Sequence, residues 1–262
     1  MASDKITAPK IIQMRKDGQR IVCLTAYDYP TALIAEEAGV DLVLVGDSMG
    51  NTLQGHKNTL SVTLDQVCYH TEMVRRGLNR ALLVADLPFG SYNVSREQAI
   101  ASAIKLVQAG ADAVKLEGTY LSEIEGIIKA GVPVMGHLGF TPQSLNNFGG
   151  HKVQGRGDHG ADIIEAALAL EQAGVFAMVL ELIPSVLSAQ VTSKISVPTI
   201  GIGAGLETSG EIQVWFDVIG LAERKLKHAK WYMDGRTQML KATAEYVAEV
   251  RAGKFPSEEN SF

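Results

Sequence analysis

Cysteine is scarce in this chain of 262 residues. Its two cysteines, Cys23 and Cys68, stand far apart in no metal-binding or redox spacing. That argues against a disulfide framework and predicts reduced thiols in a cytosolic protein. Basic charge is not in excess either. With 24 Lys and Arg against 29 Asp and Glu, the net charge is −5, which speaks against a nucleic-acid or acidic-membrane surface. No apolar run approaches the ~18 residues of a membrane span. Residues 1–10 lack the apolar core of a signal peptide, so a cytoplasmic location is expected and Asn93-Val94-Ser95 carries no weight as a glycosylation site. Walker A and His-Glu-x-x-His patterns are missing. A dinucleotide fingerprint fails at Leu206, which takes the third glycine position after Gly201 and Gly203.

What is present is a recurring apolar run that ends in an acid. Ala38-Gly39-Val40 leads into the run ending at Asp47, and Ala81-Leu82-Leu83-Val84-Ala85 ends at Asp86. Ala109-Gly110-Ala111 leads to Glu117, and Ala173-Gly174-Val175 to Glu181. Runs of Leu and Val this short read as strands buried on both faces. Around them, helices alternate with strands. A leading helix over 7–18 precedes strands at 21–26, 41–47, 81–86, 113–117, 132–137, 177–181 and 198–203, with Val214 to Ile219 as the candidate eighth. Thr63 with Gln66, Ser95 with Gln98 and Thr208 with Glu211 match capping boxes, and Ser122 and Glu125 open another helix. Residues 185–194 read as a helix and 235–252 as the closing one. Eight strand–helix units predict an α/β fold, a (β/α)8 TIM barrel with a short N-terminal helix, as one domain over 1–262. The long connections 48–60 and 138–160 both follow strands, so both are expected on the catalytic face.

Asp47, Asp86 and Glu117 then meet at the strand ends. Like charges brought together need a cation or a shared proton, and an oxygen-only set suits Mg2+. One such acid reads equally well as a helix cap or an ion-pair partner; three at equivalent positions favour a site. Lys115 shares a face with Glu117. It is placed to bind a substrate carboxylate or phosphate, to form a Schiff base, or to make a structural ion pair. Glu181 ends the sixth strand, on another side of the barrel mouth. A carboxylate there can act as a general base, or partner a loop cation. His137, at the end of the fifth strand, reads more simply as a satisfied core residue. Glycines 201–205 suit an anion contact or a tight turn.

These residues sit in blocks with a familiar order: Thr25-Ala26-Tyr27-Asp28-Tyr29, Val45-Gly46-Asp47-Ser48, Gln54-Gly55-His56, Ala85-Asp86-Leu87-Pro88-Phe89, Val114-Lys115-Leu116-Glu117-Gly118, Gly136-His137-Leu138-Gly139, Thr141-Pro142-Gln143-Ser144, Gly149-Gly150-His151-Lys152-Val153-Gln154-Gly155-Arg156 and Gly201-Ile202-Gly203-Ala204-Gly205. From about residue 5 to the C-terminus the chain resembles the ketopantoate (3-methyl-2-oxobutanoate) hydroxymethyltransferase family. The resemblance implies a barrel assembled as a homodecamer. It implies transfer of a hydroxymethyl group from 5,10-methylenetetrahydrofolate to 3-methyl-2-oxobutanoate through a Mg-stabilised enolate, giving 2-dehydropantoate for pantothenate and coenzyme A. By the same resemblance Asp47, Asp86 and Glu117 hold Mg2+, Asp47, Ser48, Asp86 and Lys115 contact the keto acid, and Glu181 is the proton acceptor. Expected partners are therefore a small 2-oxo acid, the folate and further copies of the chain, with neither nucleic acid nor membrane. Val214-Trp215-Phe216-Asp217 and the stretch 226–231 depart from the family pattern, which bears on the folate side or on packing of the last helices. Three rivals stand beside this reading. They are a class I aldolase using Lys115, another reaction of the phosphoenolpyruvate mutase and isocitrate lyase superfamily, and a non-catalytic barrel that binds a keto acid.

Overall fold

The computed structural model describes residues 5–222 and 224–262, with all their side chains but that of Asp158. Two compact units make it up, Met1–Val214 and Trp215–Phe262. In the first unit, the Thr7 hydroxyl accepts from the Lys10 amide to cap α1 (Ala8–Lys16), and Pro9 sits in the first turn, where its missing N–H leaves no bond unmade. Then follow β1 (Ile21–Thr25), α2 (Tyr29–Glu37), β2 (Leu42–Val45), α3 (Met49–Thr52), α4 (Leu64–Gly77), β3 (Leu82–Asp86), α5 (Arg96–Gln108), β4 (Ala113–Lys115) and α6 (Leu121–Lys129). The unit continues with β5 (Val134–Gly139), α7 (Leu145–Phe148), α8 (Gly160–Gln172), β6 (Ala177–Glu181), α9 (Ser185–Lys194), β7 (Thr199–Ile202) and β8 (Gly210–Gln213). The strands pair in parallel in sequence order, and β8 returns to β1, with Ile21 opposite Gly210, to close the barrel.

Alternation along the strands decides what fills the barrel. Leu42 and Leu44, Leu82 and Val84, Ala177 and Val179, and Ile200 and Ile202 share one core with Ile21, Cys23, Ala113, Met135 and Ile212. Ile6, Ile11 and Met14 join the same core, so α1 closes the end where the strands begin. Arg15 pins it there by donating to the carbonyls of Thr192 (2.6 Å), Ile195 (2.7 Å) and Val197, the residues that lead into β7. Burying each of the larger aliphatic side chains contributes roughly 1.5–3 kcal/mol. Carried two residues further, the inward phase places Thr25, Asp86, Lys115, His137 and Glu181 at the other end of the barrel.

Several boundaries differ from the sequence expectation. The eighth strand is Gly210–Gln213, and Trp215–Val218 is a helix, α10. A short apolar run such as Val214–Ile219 has no period that separates strand from helix. Thr208 is not a helix cap: its hydroxyl donates to the Gly210 carbonyl (2.9 Å) at the start of the strand. Ser122 does not cap α6 either, since the residue before that helix is Tyr120 and makes no side-chain cap bond. At Ser95 only half the box forms, because Gln98 accepts from Val94 instead. The box of Thr63 and Gln66 forms in both directions, at 3.3 and 2.9 Å. β5 begins and ends later than expected, so His137 lies within the strand. β2 and β4 stop earlier, leaving Asp47 and Glu117 just beyond their ends.

The second unit holds α10 and α11 (Gly235–Arg251), the latter capped by Asp234, whose carboxylate accepts from the Thr237 amide at 3.4 Å. The stretches expected to depart from the family pattern fall here: Trp215 and Phe216 open α10, and 226–231 belong to the irregular segment before α11.

Candidate active site

The inward-facing polar residues at the strand ends form one buried set. Asp47, Asp86, Lys115, Glu117 and His137 are all buried, and Glu181 is half-buried. Lys115 Nζ stands 2.7 Å from Asp86 Oδ1, across the register pair that joins β3 to β4. The other oxygen, Asp86 Oδ2, accepts from the Asp47 amide at 2.9 Å, so Asp86 ties β2, β3 and β4 together. Gly46 lets the chain come this close: a Cβ there would lie 2.8 Å from Ser48 Oγ and 3.4 Å from Asp86 Oδ2. Ser48, beside Asp47, shares a 2.8 Å hydrogen bond with the Tyr27 hydroxyl.

His137 joins this group to Glu181. Its Nδ1 lies 3.5 Å from both Lys115 Nζ and Glu117 Oε1, and its Nε2 lies 3.4 Å from Glu181 Oε2. Glu181 thus adjoins the acid set through one imidazole, where the sequence placed it apart. Backbone geometry sharpens its position. Leu182 has φ +46°, a left-handed conformation uncommon outside glycine, held by its amide on the Ile202 carbonyl and by the Gln154 amide on its own carbonyl, both at 2.9 Å. Backbone strain of this kind clusters at active sites. Gly139 packs its backbone against this turn, and a Cβ there would stand 2.2 Å from the Glu181 carbonyl oxygen.

Burial governs the charges. It raises Asp47 well above the ordinary carboxylate range, and repulsion from Asp86 and Glu117 adds to this. Glu117 is pushed up to about 7 by burial, against the pull of Lys115. Burial also works against the Lys115 ammonium, but Asp86, Glu117 and Asp47 outweigh it, and the pKa rises. A Schiff-base lysine needs the opposite shift, toward a neutral amine. This lysine is built to stay charged, which disfavours the class I aldolase reading. Burial and Lys115 lower His137, so its imidazole is neutral. Lysine can only donate, so where Nδ1 pairs with Lys115 it is the accepting nitrogen, and Nε2 then carries the proton on the Glu181 side. Burial raises Glu181, and His137 partly offsets the shift.

Two residues that the sequence reading did not single out complete the set. Gln143 is buried and bridges Asp47 to Glu117, while the Tyr92 hydroxyl lies 2.7 Å from Gln143 Oε1. Gln143 stands in a turn of the long loop after β5, and the only sequence signal for it was its place in the Thr141-Pro142-Gln143-Ser144 block. A cavity of about 310 Å3 lies outside β5, lined by Leu138, Phe148, Gln154, Asp162 and Ile163, none of them from the acid set.

Among the described residues, no three His, Cys, Asp or Glu side chains close round one point as a finished metal cage. The donor chemistry still fits a hard cation. Asp47 and Asp86 lie side by side, Glu117 follows, and Lys115 offsets part of their mutual repulsion. Mg2+ is typically held by one or two carboxylates, with water and substrate oxygens completing its shell.

Comparison with known proteins adds an independent line. The family model for ketopantoate hydroxymethyltransferase matches residues 5–258. A 3-methyl-2-oxobutanoate hydroxymethyltransferase of Pyrococcus furiosus is 46% identical over 259 residues, covering 98% of this chain and 91% of that protein. One of Thermosipho melanesiensis is 48% identical over 261 residues, covering 98% of each. Among solved structures, phosphonopyruvate hydrolase in complex with oxalate and Mg++ has a TM-score of 0.63 at 12% identity, covering 97% of this chain and 93% of that one. 2,3-Dimethylmalate lyase, a member of the PEP mutase/isocitrate lyase superfamily, has a TM-score of 0.62 at 14% identity, covering 97% and 91%. The structural likenesses show a shared barrel fold. With a family model spanning nearly the whole sequence and relatives at almost half identity, the chain belongs to the ketopantoate hydroxymethyltransferase family.

Proposed function

We propose that this chain transfers a hydroxymethyl group from 5,10-methylenetetrahydrofolate to 3-methyl-2-oxobutanoate, giving 2-dehydropantoate on the route to pantothenate and coenzyme A. Family membership supports the reaction. The observation that carries the mechanism is the inward-facing set of Asp47, Asp86, Lys115, Glu117 and His137 with Glu181 at its edge.

Asp47, Asp86 and Glu117 would hold Mg2+. When bound, Mg2+ supplies charge that draws electrons from the keto acid's carboxylate and ketone oxygens and so acidifies the adjacent C–H. The phosphonopyruvate hydrolase structure, of the same fold, holds oxalate with Mg++ and supports this reading. Lys115, kept protonated by its acids, pairs with the substrate carboxylate, and Asp47, Ser48 and Asp86 contact the rest of the keto acid. Glu181, with a raised affinity for protons, takes the proton from the substrate carbon next to the ketone. His137 stands beside the Glu181 carboxylate, 3.4 Å away, and competes poorly for that proton because burial lowers its own pKa. The carbon left electron-rich bonds to the folate's methylene carbon as one of its carbon–nitrogen bonds breaks; water displaces the other nitrogen to leave the hydroxymethyl group, and tetrahydrofolate departs with both nitrogens protonated.

The remaining parts of the proposal are a cytoplasmic location and a homo-oligomeric, decameric assembly. Purified protein supplied with the keto acid, methylenetetrahydrofolate and Mg2+ should form 2-dehydropantoate, detected by mass spectrometry, and EDTA should abolish it. Full turnover by a stringently metal-free sample would remove Mg2+ from the mechanism. Failure to form product with the folate donor present would overturn the reaction itself.

A further inference from the structure

Gln143 has no part in the chemistry above, yet it spends its hydrogen-bonding capacity on the acid set. Its backbone N–H donates to Glu117 Oε2 at 2.9 Å. Its side-chain nitrogen donates to Asp47 Oδ2 at 2.8 Å and to the Leu87 carbonyl at 3.0 Å. Its side-chain oxygen faces the Tyr92 hydroxyl at 2.7 Å. The amide can sit only one way round. The Leu87 carbonyl accepts and cannot donate, so the NH2 must face it and the oxygen must face the phenol. Gln143, Tyr92, Asp47 and Glu117 are all buried, so water cannot replace these bonds at no loss.

The consequence concerns the carboxylates. Asp47 has one oxygen held by the Gln143 side chain, and Glu117 has one held by the Gln143 amide. The oxygen so held is turned toward its donor and keeps one lone pair, which leaves the other oxygen of each carboxylate the freer to meet a cation. Mg2+ takes six ligands at about 2.0–2.1 Å and accepts single-oxygen carboxylates with water. Ca2+ takes about six to eight oxygens at 2.3–2.6 Å and gains from carboxylates that bind through both oxygens. We propose that Gln143 determines the cation preference of the site, by presenting Asp47 and Glu117 through one oxygen each and so favouring a Mg2+-sized ion over a Ca2+-sized one. The inference rests on the reading of the acid set as a cation site.

The test needs no turnover. The full-length chain, with 3-methyl-2-oxobutanoate present and folate omitted, is titrated calorimetrically with MgCl2 and separately with CaCl2. The wild-type chain should bind Mg2+ more tightly than Ca2+. Gln143→Met keeps the length of the side chain and the backbone bond to Glu117 but removes the donor to Asp47. Its affinity ratio should move toward Ca2+ by about tenfold, the scale of one hydrogen bond to a charged group. Tyr92→Phe removes the hydroxyl that fixes the amide and keeps the ring, and should move the ratio the same way by less. A loss of structure would lower both affinities by the same factor, so an unchanged ratio in the folded variants overturns the proposal. If Gln143→Met does not fold, an unchanged ratio in Tyr92→Phe overturns it alone. A wild-type chain that binds neither ion overturns the cation reading as well, whereas one that binds Mg2+ with a ratio indifferent to both substitutions overturns this proposal only.

Discussion

Glu181 and Glu117 are both pushed toward the protonated state by burial, but the consequences differ. Glu181 stands beside His137 at the edge of the acid set, where a base can reach substrate without being a cation ligand. Glu181→Gln should keep near-normal keto-acid binding while turnover falls roughly 100-fold or more. Exchange of the substrate C–H for deuterium, followed by NMR without folate, should stop in this variant. Exchange at the wild-type rate would transfer the role of base to another group. Glu117 tests the electrostatics through stability. Its pKa in the folded chain is raised from 4.5 to about 7, so the folded state holds the proton that the unfolded state has released. Without Mg2+, its contribution therefore favours folding below about 4.5 and fades as pH rises through about 7. Thermal melts of the metal-free protein should show this decline, and Glu117→Gln should flatten it. Lys115→Met should raise the KM for keto acid and leave Asp86 buried beside the other acids without its ion pair, a loss of about 3–5 kcal/mol on removing one partner of a buried pair.

At the scale of elements, side chains of the helices hold the strand entries. Glu36 near the end of α2 accepts from the amides of Asn79 (3.1 Å), Arg80 and Ala81 (3.0 Å), the turn that feeds β3. Burial alone would raise its pKa, but these three amides outweigh it and the pKa is lowered. Its contribution is complete above the unfolded value of about 4.5 and is lost as pH falls through the lower folded value. Glu36→Gln should cost about 1–2 kcal/mol at pH 7 by urea denaturation, with the difference from wild type shrinking in acid. An equal difference at all pH values would show that the carboxylate charge is not what holds the turn. Element identity was legible where pattern and capping agreed, as at Thr63 and Gln66 or across Ala177–Glu181. It was not legible at the eighth strand. Gly210–Gln213 carries little apolar signal and owes its pairing to the position of β1 and β7.

For the whole molecule, closure of the barrel is what makes polar residues far apart in sequence neighbours: Gln143 and Asp47, 96 residues apart, share a 2.8 Å hydrogen bond. The proposed assembly has a physical counterpart in α11, which presents Met239, Leu240, Tyr246 and Val250 to solvent and buries only Gly235. Of these, Met239, Tyr246 and Val250 fall along one side of the helix at seven- and four-residue steps. An exposed apolar stripe of this kind marks an interaction surface. Light scattering should give a mass several times the 28.1 kDa chain, reduced by the double substitution Met239→Glu with Tyr246→Glu. A wild-type monomer would overturn the oligomer.

The amino-acid sequence by itself determined the alternation of strands and helices, the burial of the strands and the acids at their ends, because these follow from local periodicity and composition. Asp47, Asp86, Lys115, Glu117 and Glu181 were readable as candidates for that reason. The tertiary structure decided how they meet. That His137 links Lys115 and Glu117 to Glu181 depends on pairing between β4, β5 and β6, which no local pattern encodes. That Gln143 enters the acid set depends on the path of a long loop whose residues show no periodicity. Charge states, too, were set there, since a carboxylate shifts only when burial and neighbours remove it from water, and both are properties of the closed barrel.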